Sequence, residues 1–127
     1  MDWPEYYPNE CPPDYAPSAS GVIYRFVDTN PPAGVDFVPY AQEYPNRNWG
    51  DKECQACGLS VYTSLDDCEK VKRKIPSLRK KLTAAATLDP SQGKLMNTPS
   101  RKINNHYTWW FPKELLEPWV LFAIVNH

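Results

Sequence analysis

Residues 56–70 read ACGLSVYTSLDDCEK, and this stretch decides the fold class. Leu59-Ser60-Val61-Tyr62 is a short apolar run following Gly58, so a strand is expected over 58–62. Thr63 and Ser64 then pass into an acidic segment. Ser64 is placed to cap a helix that begins near Leu65, and Asp66, Asp67 and Glu69 suit the positive end of that helix. Leu65, Cys68, Val71 and Ile75 share one stripe, while Asp66–Lys70 and Glu69–Arg73 are favourable i,i+4 pairs. Pro76 stops the helix.

Upstream, GVIYRFV at 21–27 is a strand rich in β-branched and aromatic residues, ending in the turn signal DTNPP. Alternation puts Val22, Tyr24 and Phe26 on one face and Ile23, Arg25 and Val27 on the other. Arg25 thus shares a face with two aliphatic residues and needs an anionic or carbonyl partner, or must reach the sheet's edge. Residues 36–53 read as a long irregular loop carrying Tyr40, Tyr44, Arg47 and Trp49; long loops in small domains are often functional. Downstream, a turn or short helix at 77–80 leads into a strand ending at Leu88. Further strands are expected over 105–111 and 119–125, the last fully buried. One strand, a loop, a second strand, a helix and then mostly strands give an α+β domain. The expected architecture is a small, mostly antiparallel sheet packed by one main helix at about 65–75. This domain covers residues 21–127. Residues 1–20 hold five prolines among many aromatics and read as an extended proline- and tyrosine-rich arm, half pinned to the domain or ordered by a protein partner.

The chain has 127 residues, enough for one domain with a real core. No apolar run approaches the ~20 residues of a membrane helix, and the first twenty residues lack a signal peptide's basic start and apolar middle. A cytoplasmic protein with no membrane association is the expectation. Four cysteines are few for a disulfide scaffold, though they leave room for two bridges. Cys54 and Cys57 have the spacing of half a zinc site, but a structural site wants two such pairs. No metal is expected, and the cysteines read as reduced, partly buried thiols.

Net charge conceals an asymmetry. Residues 1–69 hold three basic and twelve acidic side chains, net −9, and residues 70–102 hold ten basic and one acidic, net +9. Lys70, Lys72, Arg73, Lys74, Arg79, Lys80 and Lys81, extended by Lys94, Arg101 and Lys102, would form a cationic face. With Tyr107 and Trp109 or Trp110 exposed nearby, that face would suit nucleic acid or an acidic protein. The competing reading is that these cations complement the helix C-terminus and the acidic half of the chain.

No nucleotide-binding loop, dinucleotide glycine motif or metalloprotease helix motif occurs. Three scattered groups remain: Tyr24-Arg25 on the first strand, Ser60-Val61-Tyr62-Thr63-Ser64 leading into the helix, and His106-Tyr107-Thr108-Trp109-Trp110. In these the sequence resembles the ADP-ribosyltransferase superfamily, in the broad form that includes small bacterial NAD-consuming toxins and defence-type effectors. What the resemblance implies is an NAD site between two small sheets. Arg25, beside Tyr24, would hold the pyrophosphate or a ribose hydroxyl, Ser60 or Thr63 would brace the first strand, and Tyr62 would stack on nicotinamide. The resemblance thus makes Arg25, Ser60, Tyr62 and His106 the catalytic candidates, and Tyr24, Arg25, Thr63 and Ser64 the cofactor-binding ones. A nearby carboxylate would stabilise the oxocarbenium-like sugar of the transfer. The family's late acidic residue has no clear counterpart here: Glu114 and Glu117 flank a proline-bounded turn, and Glu69 lies on the helix. The chain also looks like members of a small bacterial family sharing the GLSV-aromatic and His-aromatic-Thr-Trp-Trp stretches, which adds no mechanism.

Overall fold

Proline placement and short β-branched runs divide the chain into brief elements. The structure, a computed structural model, describes residues 1–125. In chain order these are β1 (Gly21–Val27), α1 (Tyr40–Glu43), α2 (Glu53–Cys57), β2 (Leu59–Val61) and α3 (Leu65–Lys74), followed by β3 (Leu82–Leu88), β4 (Lys94–Asn97), β5 (Tyr107–Trp110) and β6 (Ala123–Ile124). The fold is α+β, with a few short helices and two small antiparallel sheets rather than the one expected. Their strand orders are β1-β3-β6 and β2-β5-β4.

The two sheets meet at a single rung. Tyr24 N–H donates to Tyr62 O at 2.8 Å and Tyr62 N–H returns the bond to Tyr24 O at 2.9 Å. Beyond that pair β1 and β2 diverge, which is why one continuous sheet does not form. Facing side chains from both sheets build the central core: Ile23, Val27, Ala84, Ala86 and Leu88 from the first, and Leu59, Val61 and Trp109 from the second. The opposite face of β1 carries Tyr24 and Phe26. There α3 packs its stripe, burying Cys68 and Val71 with Tyr62 and Ile103. Ser64 caps α3 as its position suggests, its hydroxyl accepting from Asp67 N–H at 3.1 Å.

Residues 1–20 do not extend as an arm. They form successive turns over β4 and β5, burying Tyr7, Cys11 and Ala16 with Cys57 and Trp110. Backbone bonds fix the segment at both ends, from Lys113 N–H to Asp2 O and from Ala19 N–H to Gly93 O, each 2.9 Å. The aromatics override the extended tendency of proline because they have an apolar surface to cover. Cys11 and Cys54 form a disulfide across a sequence separation of 43, with Cα atoms 5.5 Å apart. The sequence reading expects four reduced thiols, with Cys54 and Cys57 spaced as half a zinc site. Folding instead brings Cys11 against α2, so two of the four cysteines are not thiols. Cys57 and Cys68 are free and buried.

Three further boundaries differ from the sequence reading. The loop after β1 contains α1, α2 and 3-10 turns at Gly34–Phe37 and Gly50–Lys52. Strand β4 emerges after Gly93, whose φ of 114° reverses the chain; an added Cβ there would lie 1.9 Å from Trp110 O. Pro118 opens a 3-10 turn over Pro118–Leu121, because its fixed φ suits a first helical position, and this leaves only Ala123–Ile124 as strand.

Candidate functional site

Where β1 and β2 part, the ladder leaves Ser60 O without a strand partner from β1. Arg25 fills the place: its Nη1 donates to Ser60 O at 2.7 Å and its Nε to Asp36 O at 2.9 Å. The guanidinium also lies 5.3 Å from the Phe37 ring centroid. It stands at the side of a cleft of about 590 Å³ whose lining includes Asp28, Asp36, Tyr40, Glu43, Ser60, Tyr62, Lys81 and His106. Burial pulls the Arg25 pKa down to about 10, opposed by Tyr40, Asp36, Tyr62 and Glu43, so the group stays charged at neutral pH.

His106 precedes β5 and points to the same side of its sheet as Ser60. Its Nε2 is 2.8 Å from Ser60 Oγ, and its Nδ1 is 3.1 Å from Thr98 O and 2.9 Å from Thr98 Oγ1. Thr98 Oγ1 in turn meets Thr108 Oγ1 at 2.8 Å. Burial lowers the His106 pKa below its ordinary value; the Thr98 carbonyl opposes this, and Lys52 adds to it. The Tyr62 ring packs edge-on to His106, centroids 6.0 Å apart, and against Phe26 at 5.4 Å. Burial raises the Tyr62 phenol to about 12.

The expected set therefore divides. Arg25, Ser60, Tyr62 and His106 line the one cleft. Tyr24, Thr63 and Ser64 are not part of its lining: Tyr24 packs under α3, Ser64 caps α3, and half-buried Thr63 lies between them. Glu114 and Glu117 are exposed and outside it. The cleft's carboxylates come from residues that the sequence reading passed over: Asp28, Asp36 and Glu43. Asp36 is nearly buried at 8% exposure and braces its own turn, accepting from the Thr29 hydroxyl, from Asp28 N–H at 2.7 Å and from Ala33 N–H at 3.1 Å. Burial would raise its pKa, but these donors outweigh burial and hold it below the ordinary carboxylate value. Glu43 is exposed on α1. The DTNPP turn signal, followed by an acid, was the cue available for Asp36.

Several cations of the basic segment are spent on backbone carbonyls or acids. Arg79 donates to Lys72 O and Arg73 O at the end of α3, Lys72 Nζ reaches Lys81 O at 2.9 Å, and Lys74 Nζ reaches Lys102 O at 3.3 Å. Lys81 pairs with Asp28 at 2.7 Å and Lys70 with Asp66 at 3.1 Å. Trp109 and Trp110 are buried, Trp109 in the central core and Trp110 beneath the N-terminal turns, so neither offers a face to a nucleic-acid base. Among the described residues no group of three or more His, Cys, Asp or Glu side chains could hold a metal, and no helix is long and apolar enough to cross a membrane.

No family model, curated protein or solved structure matches the chain.

Proposed function

We propose that the cleft between the two sheets binds NAD or a related nucleotide, in a small ADP-ribosyltransferase-like enzyme. One observation carries this reading. Arg25 is a half-buried cation at a cleft wall, bonded to two neutral carbonyls and to no carboxylate among the described residues. Two of its five N–H donors are used, and an anionic ligand would take the others, adding to the attraction Arg25 already has to Asp36 and Glu43. A pyrophosphate suits that fork. Tyr40, exposed on α1, supplies aromatic surface for a base or nicotinamide, while Tyr62 is buried and reaches the cleft only at its edge; Glu43 is the exposed carboxylate suited to stabilise a developing oxocarbenium charge. The Cys11–Cys54 disulfide fits passage through an oxidising compartment better than residence in a reducing cytoplasm. The alternative, a basic face for nucleic acid or an acidic protein, draws less support, because Trp109 and Trp110 are buried and most of its cations already serve backbone carbonyls or acids.

Titration calorimetry with NAD and ADP-ribose tests the reading. Wild type is expected to bind both. Arg25→Gln, whose amide can still donate to a carbonyl, is expected to stay folded and to bind at least about tenfold more weakly, equivalent to about 1.4 kcal/mol. Absence of binding by wild type at millimolar NAD would overturn the proposal.

A further inference from the structure

The nucleotide reading leaves the Ser60–His106 contact without a role. The direction of that hydrogen bond follows from the other side of the ring. Thr98 O can only accept, so a bare Nδ1 lone pair 3.1 Å from it would be repelled. A proton on Nδ1 suits both neighbours: it donates to the Thr98 carbonyl, and the Thr98 hydroxyl, 2.9 Å from Nδ1, turns its own proton to Thr108 Oγ1; we assign this tautomer on that ground. Nε2 is then the unprotonated nitrogen and accepts from the Ser60 hydroxyl at 2.8 Å. A hydroxyl, a base that receives its proton and a third group that orients the base form the constellation of an activated nucleophile. Thr108, buried at 1% exposure, holds Thr98 in turn, so the base is fixed from behind. Both Ser60 and His106 open onto the cleft.

We propose that Ser60 is an internal nucleophile, activated by His106, that accepts the ADP-ribosyl group of NAD bound in this cleft; the proposal rests on the nucleotide reading above. In the step, Ser60 Oγ forms a bond to the anomeric carbon of the nicotinamide ribose as the bond from that carbon to the pyridinium nitrogen breaks. The electron pair of the breaking bond neutralises the ring, nicotinamide leaves, and the Ser60 proton passes to His106 Nε2. No oxidant or further reactant is required. The product is one ADP-ribosyl group linked to Ser60 and one nicotinamide. An internal acceptor also accounts for a Ser–His pair at the point where Arg25 would hold the pyrophosphate. The competing account is that the bond only ties β2 to β5, which predicts no reactivity.

The test is incubation of the full chain with NAD, followed by intact-mass and fragment-mapping mass spectrometry, chromatography of released nicotinamide, and parallel calorimetry. Wild type should gain one ADP-ribosyl group, mapped to Ser60, with an equal amount of nicotinamide released. Ser60→Ala should bind NAD and gain nothing, and His106→Gln should react about a hundredfold more slowly or worse. A pH series on wild type needs no variant to fold. Adduct formation should rise with pH and level off below the ordinary histidine value of 6.5, because burial holds His106 low. The titratable and charged groups facing His106 are Tyr62 and Lys52, with Arg25 on the far side of Ser60. Tyr62, whose pKa is near 12, and Arg25, near 10, do not titrate in this range. NAD binding without an adduct, an adduct on another residue, or a rate indifferent to pH through the histidine range would overturn the nucleophile and leave the nucleotide site standing. No NAD binding at all would remove both.

Discussion

Replacing Arg25 by alanine separates the structural from the ligand-binding demands on this residue. The guanidinium donates to Ser60 O at 2.7 Å and to Asp36 O at 2.9 Å, and both carbonyls lie where no strand supplies another donor. A hydrogen bond from a charged group contributes about 1.5–3 kcal/mol, and leaving a buried acceptor unpaired costs about 1–3 kcal/mol. The Phe37 contact adds about 0.5–1 kcal/mol. Arg25→Ala should therefore cost about 4 kcal/mol, a large part of the ~5–15 kcal/mol that holds a typical domain. With a urea slope of ~1–3 kcal/mol/M, the unfolding midpoint should fall by about 2 M with little change in slope. Arg25→Lys should lose about half as much, since a single ammonium cannot serve two carbonyls as a planar fork does. A midpoint within about 0.5 M of wild type for the alanine variant would refute this reasoning. It would mean that water entering the cleft satisfies both carbonyls and that Arg25 braces nothing.

Two other expectations follow from the same contacts. The Cys11→Ser, Cys54→Ser double variant frees a loop of separation 43, which in the chain-entropy account costs about 4 kcal/mol and lowers the melting temperature by about 15 °C; melting curves unchanged by the substitution would contradict it. Acid should also destabilise the fold. Asp36 is held below the ordinary value of 3.8, so its stabilisation is complete above that value and is lost as pH falls through the lower folded one. His106, also depressed, acts in the same direction over mildly acid pH, because the unfolded chain takes up its proton first. Urea midpoints that stay constant from neutral pH to below the carboxylate range would refute both.

Local signals carried the sequence reading where they were local in origin. The pattern of 21–27 gave β1 with both faces, and Ser64 with its acidic followers gave the start of α3, because strand alternation and helix capping act within a few residues. The boundary between the two sheets was not legible. It depends on β1 and β2 sharing one rung at Tyr24 and Tyr62, a contact between residues 38 positions apart that neither run encodes by itself. The disulfide was hidden for the same reason: Cys57 is nearer in sequence, and only the folded N-terminal turns bring Cys11 to α2. Arg25 was recognisable as needing a carbonyl or anionic partner. That its partners would be Ser60 O and Asp36 O, placing it beside a cleft with Ser60 and His106, required the tertiary arrangement.

A shortage of backbone donors connects these features. Fourteen of the 127 residues are proline, so the chain has fourteen more carbonyls than backbone N–H groups, and its strands are short. Side chains supply part of the difference. Trp109 Nε1 donates to Gln92 O and Trp110 Nε1 to Cys54 O, both at 2.8 Å, and Lys94 Nζ reaches Asp14 O at 3.1 Å. Arg79, Lys72 and Lys74 do the same around the end of α3. The +9 segment thus in part reflects a demand for donors, which weakens the case for a nucleic-acid face. Arg25 belongs to this group by its bonds but differs in setting. Arg79 and Lys74 are exposed, so water screens their charge, while Lys72 and Lys94 are half-buried and serve neutral carbonyls outside any cleft that Arg25 lines. Arg25 is half-buried at the wall of a cleft, where neutral carbonyls satisfy its geometry and the nearby Asp36 and Glu43 offset part of its charge. On the proposed reading, an anionic ligand in the cleft is what this cation would serve beyond bracing two carbonyls, and the calorimetry on Arg25→Gln separates that role from the strut.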